Sequence, residues 1–341
     1  MSGTTTRRTF LAGSLAVGAA TLGEGAGDAG NELRPHLNGA AFQGMEGVYA
    51  ALFTPFDRAG RLNEEMVERE VEHGLRNGLR GFYLTGGTGE GLVLSHDERV
   101  RVYRRAVKAS AGRAKLIAHV GCTATDDAVR LARAAADAGV DWISSVPPVC
   151  YGMKFEDVCR HYRLIASATD RPFLIYAVNG SKIDPDRDAR LFDAPNVMGM
   201  KYTGTDFYDV QRLKRRLAKE TLFFSGSDQH FVAALAFGNV FSGSIGTVQN
   251  IVPGLFVAIY RAMMEGDVRS AARLQEKANR IVEFVCHAHP NASFRKGMMR
   301  YIGLDCGSFR APQARLSEEE YEALTREADA WGLVPRNAAI R

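Results

Sequence analysis

The stretch Val197-Met198-Gly199-Met200-Lys201-Tyr202-Thr203-Gly204 runs from four mostly apolar residues into a single lysine, and polar and glycine residues follow. The apolar run predicts a buried strand that ends by presenting Lys201. An apolar wall disfavours the charged ammonium, so some neutral amine becomes available at ordinary pH. A neutral amine attacks ketones and gives a Schiff base, an electron sink for making or breaking C–C bonds. Strand-end lysines are common, so a Schiff-base role for Lys201 needs support from other parts of the sequence.

Seven further apolar runs of strand length alternate with amphipathic stretches of helix length on either side of this one. The eight predicted strands cover residues 47–54, 81–85, 115–120, 142–146, 173–176, 197–201, 221–225 and 240–245. Asn63 and Ser95 are predicted to cap the helices after the first and second strands, and a helix is predicted over residues 229–237 after the seventh. Apolar strands between amphipathic helices indicate a parallel sheet covered on its outside, and eight such units close into a (β/α)8 barrel. An open doubly wound sheet typically has a Gly-rich phosphate-binding turn after its first strand. Thr54-Pro55-Phe56 is not such a turn, so the barrel is favoured over the open sheet.

The predicted organisation has four parts. Residues 45–266 form the barrel, and residues 267–341 form a C-terminal helical appendage of about three helices. Residues 1–30 carry the twin-arginine pattern Thr6–Leu11 and a short apolar run, which predict a cleavable export signal and therefore an exported protein. Residues 31–44 are interpreted as a linker. The alternatives for the leader are a disordered extension or a misassigned start codon, either of which predicts a cytoplasmic protein.

Composition excludes several classes of function. The 341 residues are 46% hydrophobic and 24% charged, as in soluble globular proteins, and the formal charge of +4 is too small and dispersed to indicate nucleic acid. The densest basic run, residues 212–216, follows a helical pattern and is interpreted as a solvated face. The five cysteines form no CxxC or Cys/His cluster, so neither a metal site nor a disulfide framework is expected. No membrane association is expected once the leader is removed.

Small and polar residues follow several strands at the end where a barrel places its chemistry. Thr85–Gly91 (TGGTGEG) lets the backbone approach a ligand closely and offers an amide nest to a carboxylate or a phosphate; a flexible turn is the alternative. Tyr176 ends the fifth strand, where it either exchanges a proton with a substrate or closes the core. Gly226–Gln229 and Gly243–Thr247 follow strands seven and eight, and Asp228 is interpreted either as a site residue or as a helix cap.

Together the motifs TGGTGEG, FLIY, GMKYTG, SGSDQ and GSIGT, in this order and spacing, resemble the dihydrodipicolinate synthase / N-acetylneuraminate lyase family over roughly residues 47–324. The resemblance implies a class I aldolase that binds pyruvate or a related 2-oxo acid as a Schiff base, commonly as a homotetramer. It implies no cofactor beyond the covalent imine. KYTGTD and SGSDQ are more similar to the lyase branch than to the synthase branch.

By position, the resemblance implies that Lys201 forms the Schiff base and that Tyr176 shuttles protons at the bond that forms or breaks. Thr88, with the amide of Gly87, is implied to hold the substrate carboxylate. The residues implied to contact the distal, hydroxylated part of the substrate or to line the mouth are Thr203, Gly226, Asp228, Gln229, Gly246 and Thr247.

Three departures from the family pattern narrow this interpretation. Gly87 stands where the family usually has Ser or Thr, and Cys150 stands where it usually has a tyrosine. Those two hydroxyls normally form a relay with the Tyr176 equivalent, unless Tyr151 or a water substitutes here. The carboxylate-binding arginine of the synthase, expected shortly after Tyr176, is also absent from residues 176–181. That absence disfavours lysine biosynthesis.

Two hypotheses of different class follow. The first is a lyase that cleaves or condenses a 2-oxo acid with pyruvate as one partner, through an imine on Lys201. The second is a catalytically weakened barrel that binds an exported keto acid or sugar acid; the missing relay hydroxyls and the leader favour it, whereas retention of Lys201 and Tyr176 opposes it. Dehydration of a sugar acid through the same imine is a further alternative.

Overall fold

Eight parallel strands close a barrel in chain order in the computed structural model, which describes residues 42–149, 151–178, 180–288 and 292–339. The last strand closes on the first, with Gly47 paired to Gly243. The strands are β1 Gly47–Ala51, β2 Gly81–Leu84, β3 Lys115–His119, β4 Trp142–Ser145, β5 Phe173–Ala177, β6 Val197–Tyr202, β7 Leu222–Ser225 and β8 Phe241–Gly246. The predicted (β/α)8 barrel is confirmed. The predicted leader, most of the predicted linker and Cys150 lie outside the described residues.

Helices follow every strand, and three more follow the barrel. They are α1 Glu64–Arg76, α2 His96–Ser110, α3 Thr125–Ala138, α4 Phe155–Ala166, α5 Pro185–Asp188, α6 Phe207–Arg216, α7 Phe231–Ala236, α8 Pro253–Met264, α9 Val268–Val282, α10 Ser293–Tyr301 and α11 Glu318–Trp331. Two predicted caps are present, because Asn63 accepts from the Met66 amide and Ser95 forms a capping box with Glu98. None of these described helices has both the length and the apolar character that a bilayer crossing requires.

The first predicted strand and the helix predicted after the seventh strand are both clearly shorter than the sequence pattern indicates. The first strand ends at Ala51 instead of Thr54, and the Thr54 hydroxyl donates to Gly89 O at 2.6 Å. The helix predicted over 229–237 starts as a 3₁₀ turn at Asp228–His230, and only Phe231–Ala236 is α-helical. Both differences lie at the C-terminal end of the barrel, where loops contact one another.

Side chains inside the barrel form a core separate from the larger one between strands and helices. The inner cluster contains Tyr49, Ala51, Tyr83, Ile117, Trp142, Leu174, Leu222, Phe224 and Ile245. Phe42 and Met45, from the segment before β1, join it, and the Phe42 ring lies 6.1 Å from that of Trp142 at the start of β4. The N-terminal end of the barrel is therefore plugged, so that a ligand enters from the C-terminal end.

A register shift in β6 decides which way Lys201 points. Val197 packs in the outer core and Met198 against the inner cluster, so strict alternation would turn Lys201 outward. The pairing with β5 shifts between Phe173 and Leu174, after which Tyr176 is the direct partner of Lys201. An extra residue in one strand re-aims the side chains that follow it. Lys201 consequently faces the barrel interior.

Candidate active site

Lys201 lies near the C-terminal end of the barrel with its side chain enclosed by aromatic rings. The residue is 5% exposed, and its Nζ lies 4.2 Å from the centroid of the Tyr176 ring and 4.6 Å from that of Tyr83. The Lys201 charge is the main cause that lowers the pKa of Tyr176 below its ordinary value, against the opposing effect of burial. The structure thus places the two residues predicted to be catalytic side by side.

Tyr83 was not identified from the sequence as a site residue. Its ring is fully buried, stands edge-on to Tyr176 at 6.1 Å, and its hydroxyl shares a hydrogen bond of 2.9 Å with Ser144 Oγ. Burial raises the pKa of Tyr83 well above the usual value, so this hydroxyl stays protonated. The inward alternation of β2 gives a signal for Tyr83, since Gly81 and Tyr83 share a face. A neutral aromatic wall therefore completes the enclosure of Lys201.

Thr203 and Gly226 lie directly beside the lysine. The Thr203 Oγ1 atom is buried and makes no hydrogen bond of normal geometry among the described residues, although its proximity to the Tyr176 hydroxyl helps to lower the pKa of Tyr176. A Cβ at Gly226 would collide with that oxygen and would lie 3.1 Å from Lys201 Cε. A buried hydroxyl without a partner is costly, so a polar ligand group that bonds to it contributes favourably to binding. Glycine at position 226 is therefore what allows Thr203 Oγ1 to lie against the backbone beside Lys201.

Asp228 is placed by its hydrogen bonds at the end of β8. One carboxylate oxygen accepts from the amides of Thr247 and Val248, both at 3.0 Å, and the other accepts from Gln249 Nε2 at 3.1 Å. The carboxylate thus caps the 3₁₀ turn that follows β8, instead of the helix that follows its own strand. Burial raises the pKa of Asp228, and these hydrogen bonds oppose the rise. Gln229 follows on the same rim and is partly exposed.

The predicted carboxylate-binding loop meets the loop after β8. Thr88 Oγ1 and Thr247 Oγ1 share a hydrogen bond of 2.7 Å. Gly246 lies beside Asp228, where an added Cβ would collide with the Asp228 carboxylate. Gly87 is exposed, and a Cβ there would meet nothing within 4 Å. Thr88, Thr247, Gly246 and Asp228 therefore lie together, whereas Gly87 faces the open C-terminal end of the barrel.

A buried polar network supports the loop from below. The Thr85 hydroxyl bonds to Tyr103 Oη at 3.0 Å, and both Thr85 and Tyr103 contact His119 O. Arg99 also donates to His119 O and to Gly121 O. Burial, followed by the Arg99 charge, lowers the pKa of His119 well below its ordinary value, so the imidazole is neutral. The sequence offered no signal for this network, because its members come from separate segments.

The described residues contain no cluster of three or more His, Cys, Asp or Glu side chains that could hold a metal ion. The site instead offers one amine, one phenol of lowered pKa and several hydroxyl and amide groups. An amine held against aromatic rings beside a phenol can form an imine and exchange a proton next to it. These are the parts of a Schiff-base aldolase on a (β/α)8 barrel.

Comparison with known proteins agrees with that class. The model of the dihydrodipicolinate synthetase family matches residues 44–330, and the chain belongs to this family. The N-acetylneuraminate lyase of Rhizobium meliloti (strain 1021) is 33% identical over 299 residues, which are 87% of this chain and 98% of that protein. The N-acetylneuraminate lyase of Escherichia coli (strain K12 / DH10B) is 35% identical over 245 residues, 71% of this chain and 82% of that protein.

Solved structures give the same result. A Ruminococcus gnavus sialic acid aldolase superposes with a TM-score of 0.78 at 27% identity, over 84% of this chain and 97% of its own. The N-acetylneuraminate lyase of Mycoplasma synoviae has a TM-score of 0.78 at 29% identity, over 84% of this chain and 98% of its own. The chain is therefore a carbon–carbon lyase, a class I pyruvate-dependent aldolase, and it is similar to the N-acetylneuraminate lyase branch.

Proposed function

We propose that the protein cleaves, or in reverse forms, a hydroxylated 2-oxo acid through an imine on Lys201, with pyruvate as one product. The observation that carries the proposal is the position of Lys201 Nζ, buried between the Tyr83 and Tyr176 rings at the open end of the barrel. A related sialic acid aldolase from Ruminococcus gnavus has been solved as a catalytic lysine mutant, which supports the same role for a lysine here. The substrate class follows the lyase relatives, and so is a sugar acid or a similar 2-oxo acid.

The reaction begins when the neutral Lys201 amine attacks C2 of the 2-oxo acid. Tyr176 gives its proton to the hydroxyl of the resulting carbinolamine, so that water leaves and a protonated imine and the Tyr176 phenolate remain. Tyr176 then takes the proton of the C4 hydroxyl as the C3–C4 bond breaks, and the electron pair of that bond moves into the imine to give an enamine. The aldehyde leaves. Protonation of the enamine at C3 gives the pyruvate imine, and water releases pyruvate and restores the amine.

The carboxylate of the substrate is proposed to lie against the loop after β2. Thr88 and the Gly87 amide would donate to it, with Thr88 already held in place by Thr247. A Gly-rich turn permits this close backbone approach to an anion. The distal hydroxyl groups of the substrate then extend toward Thr203 and the rim formed by Gln229 and Thr247.

The relay of hydroxyl groups beside Tyr176 is incomplete in this chain. Gly87 carries no hydroxyl, and Tyr151 is 74% exposed, so it does not supply one to the buried pocket of its own chain. Loss of a positioned proton-transfer partner commonly costs roughly a factor of 100 or more in rate. This specific gap supports the second candidate function, a barrel that binds a keto acid or sugar acid with little turnover.

Product analysis separates the two candidates. The protein is incubated with N-acetylneuraminate and with a panel of other 2-oxo acids, and pyruvate is followed by NMR beside the Lys201→Ala variant. Release of pyruvate by the wild type alone supports the lyase. Binding of an acid by calorimetry with no pyruvate released over hours would establish the binding barrel instead.

We also propose a homotetrameric assembly and export by the twin-arginine route. The loop after β4 exposes Val149 by 50%, Tyr151 by 74% and Met153 by 42%, which is apolar surface suited to a contact between copies. Light scattering on the purified protein tests the assembly, and a monomer would contradict it. Sequencing of the mature N-terminus tests export, since a start at Met1 or Ser2 would show that the leader is retained.

A further inference from the structure

Glu90 and Lys296 form an ion pair that is removed from solvent. Lys296 Nζ lies 2.7 Å from Glu90 Oε1, and the two side chains are 1% and 0% exposed. The other carboxylate oxygen of Glu90 accepts from the Arg310 amide at 2.7 Å. The pair joins the loop after β2 to helix α10 and to the segment after it, across 206 positions of sequence.

The Lys296 ammonium is fully satisfied in this position. Besides Glu90, it donates to Thr54 O at 2.8 Å and to Ser308 O at 3.2 Å. The rings of Phe56 and Phe309 flank it at 4.5 and 4.7 Å. Lys296 thus links the segment after β1, the loop after β2 and the segment that follows α10.

The geometry of the loop makes Glu90 its anchor. Glu90 has a left-handed backbone with φ of 58°, and its amide donates to Gly87 O at 3.1 Å. The next amide, that of Gly91, donates to Gly86 O at 3.0 Å. A displacement of Glu90 therefore moves Gly87 and Thr88, the groups proposed to hold the substrate carboxylate.

Arg310 holds the other end of the chain between Glu90 and helix α2. Its guanidinium donates to both oxygens of Glu98, at 2.7 and 2.5 Å, and to Gly60 O at 2.9 Å. Glu98 belongs to the capping box at the start of α2. The chain between Glu90 and α2 is consequently held at both of its ends from the C-terminal region.

We propose that the Glu90–Lys296 pair is a positioning device that fixes the carboxylate-binding loop and so sets the affinity for the acid group of the substrate. A buried ion pair is a poor source of stability, because desolvation offsets the attraction, and in some proteins such a pair serves to fix one geometry. The hydrogen bonds of the pair reach Thr54, Ser308 and the Arg310 amide, so its effect on the site is taken to pass through Gly87 and Thr88. This inference rests on the proposed function.

The test is the double variant Glu90→Gln with Lys296→Met, which removes both charges at similar volume and so avoids a lone buried charge. Trapping of the pyruvate imine with borohydride is measured against pyruvate concentration. We expect the half-saturating pyruvate concentration to rise tenfold or more while the maximal trapping rate changes less than threefold. The matched control is Lys115→Met with Asp141→Asn, an ion pair of 3.1 Å at the opposite end of the barrel, and it should leave both values unchanged.

Hydrogen exchange gives a second measurement that does not depend on activity. Amides of residues 86–91 should exchange at least tenfold faster in the double variant, whereas those of β6 should not change. If loop exchange is unaltered, or if the wild type and the double variant saturate at the same pyruvate concentration, the proposal is overturned. A wild type that forms no adduct at all refutes the proposed function, and the exchange comparison still decides the positioning role.

Discussion

Lys201 and Tyr176 are direct partners in the pairing of β6 with β5, and Lys201 Nζ lies 4.2 Å from the centroid of the Tyr176 ring. The two side chains share the interior of the barrel because β6 carries one unpaired residue, Met198, where the pairing with β5 shifts between Phe173 and Leu174. At this separation the ammonium charge lowers the pKa of the phenol. Backbone register therefore sets the distance between the residues proposed as the Schiff-base amine and its proton-transfer partner.

Tyr176→Phe should separate imine formation from bond cleavage. The variant keeps Lys201 in its aromatic enclosure, so trapping with pyruvate and borohydride should persist. Cleavage of the 2-oxo acid should fall by roughly 100-fold or more, the usual size of a lost general acid–base group. Tyr202→Phe is the matched control, since Tyr202 packs in the outer core. Equal cleavage rates in Tyr176→Phe and wild type would remove Tyr176 from the mechanism.

Gly226→Ala should disable the site without unfolding the barrel. The new methyl group would collide with Thr203 Oγ1 and would lie 3.1 Å from Lys201 Cε, which displaces the reactive amine. A small misplacement of a reacting group costs on the order of 100-fold in rate. Gly87→Ala is the control, because its methyl group meets nothing within 4 Å. Thermal denaturation monitors folding in both variants, and a fully active Gly226→Ala enzyme would show that the space is not needed.

Gly87→Ser should restore one of the missing hydroxyl groups. The position is open, so the variant is expected to have the thermal stability of the wild type. If an incomplete relay limits proton transfer at Tyr176, the cleavage rate should rise by roughly 10-fold, a fraction of what a complete relay contributes. The comparison with Gly87→Ala isolates the hydroxyl from the methyl group. A Gly87→Ser enzyme no faster than Gly87→Ala would show that the relay is not limiting.

Glu70 predicts a pH dependence of folding that is separate from catalysis. Its carboxyl is buried, which raises the pKa to about 8, with a hydrogen bond of 3.3 Å from Cys306 Sγ and no partner for Oε2 among the described residues. The folded protein therefore keeps a proton that the unfolded chain releases near pH 4.5. Stability falls as pH rises from about 4.5 to about 8, by roughly 3–5 kcal/mol in total.

Glu70→Gln should abolish most of that loss. Urea denaturation at pH 5 and at pH 9 measures the free energy of unfolding of each protein. From pH 5 to pH 9 the free energy of unfolding of the wild type should fall by roughly 3 kcal/mol or more relative to that of the variant. Glu72→Gln, on the same helix with a side chain 43% exposed, should show no such gain. A parallel pH response in all three proteins would mean that Glu70 is ionised in the folded state.

Local patterns were sufficient to predict much of this molecule. Apolar runs gave eight strands, side-chain chemistry gave the caps at Asn63 and Ser95, and the polar residues after Lys201 marked the end of its strand. The shift beside Met198 left no local signal, although it decides that Lys201 faces inward. Glu90 and Lys296 are 206 positions apart, so their pairing depends on tertiary packing that neither segment specifies alone.

The most direct test of the account is the intact mass of the protein after incubation with pyruvate and borohydride, with Lys201→Ala beside the wild type. One pyruvyl adduct is expected on the wild type and none on the variant, and peptide mapping should assign the added mass to Lys201. A folded wild type that takes up no adduct, or a variant that takes up as much as the wild type, would contradict the role of Lys201 as the Schiff-base lysine.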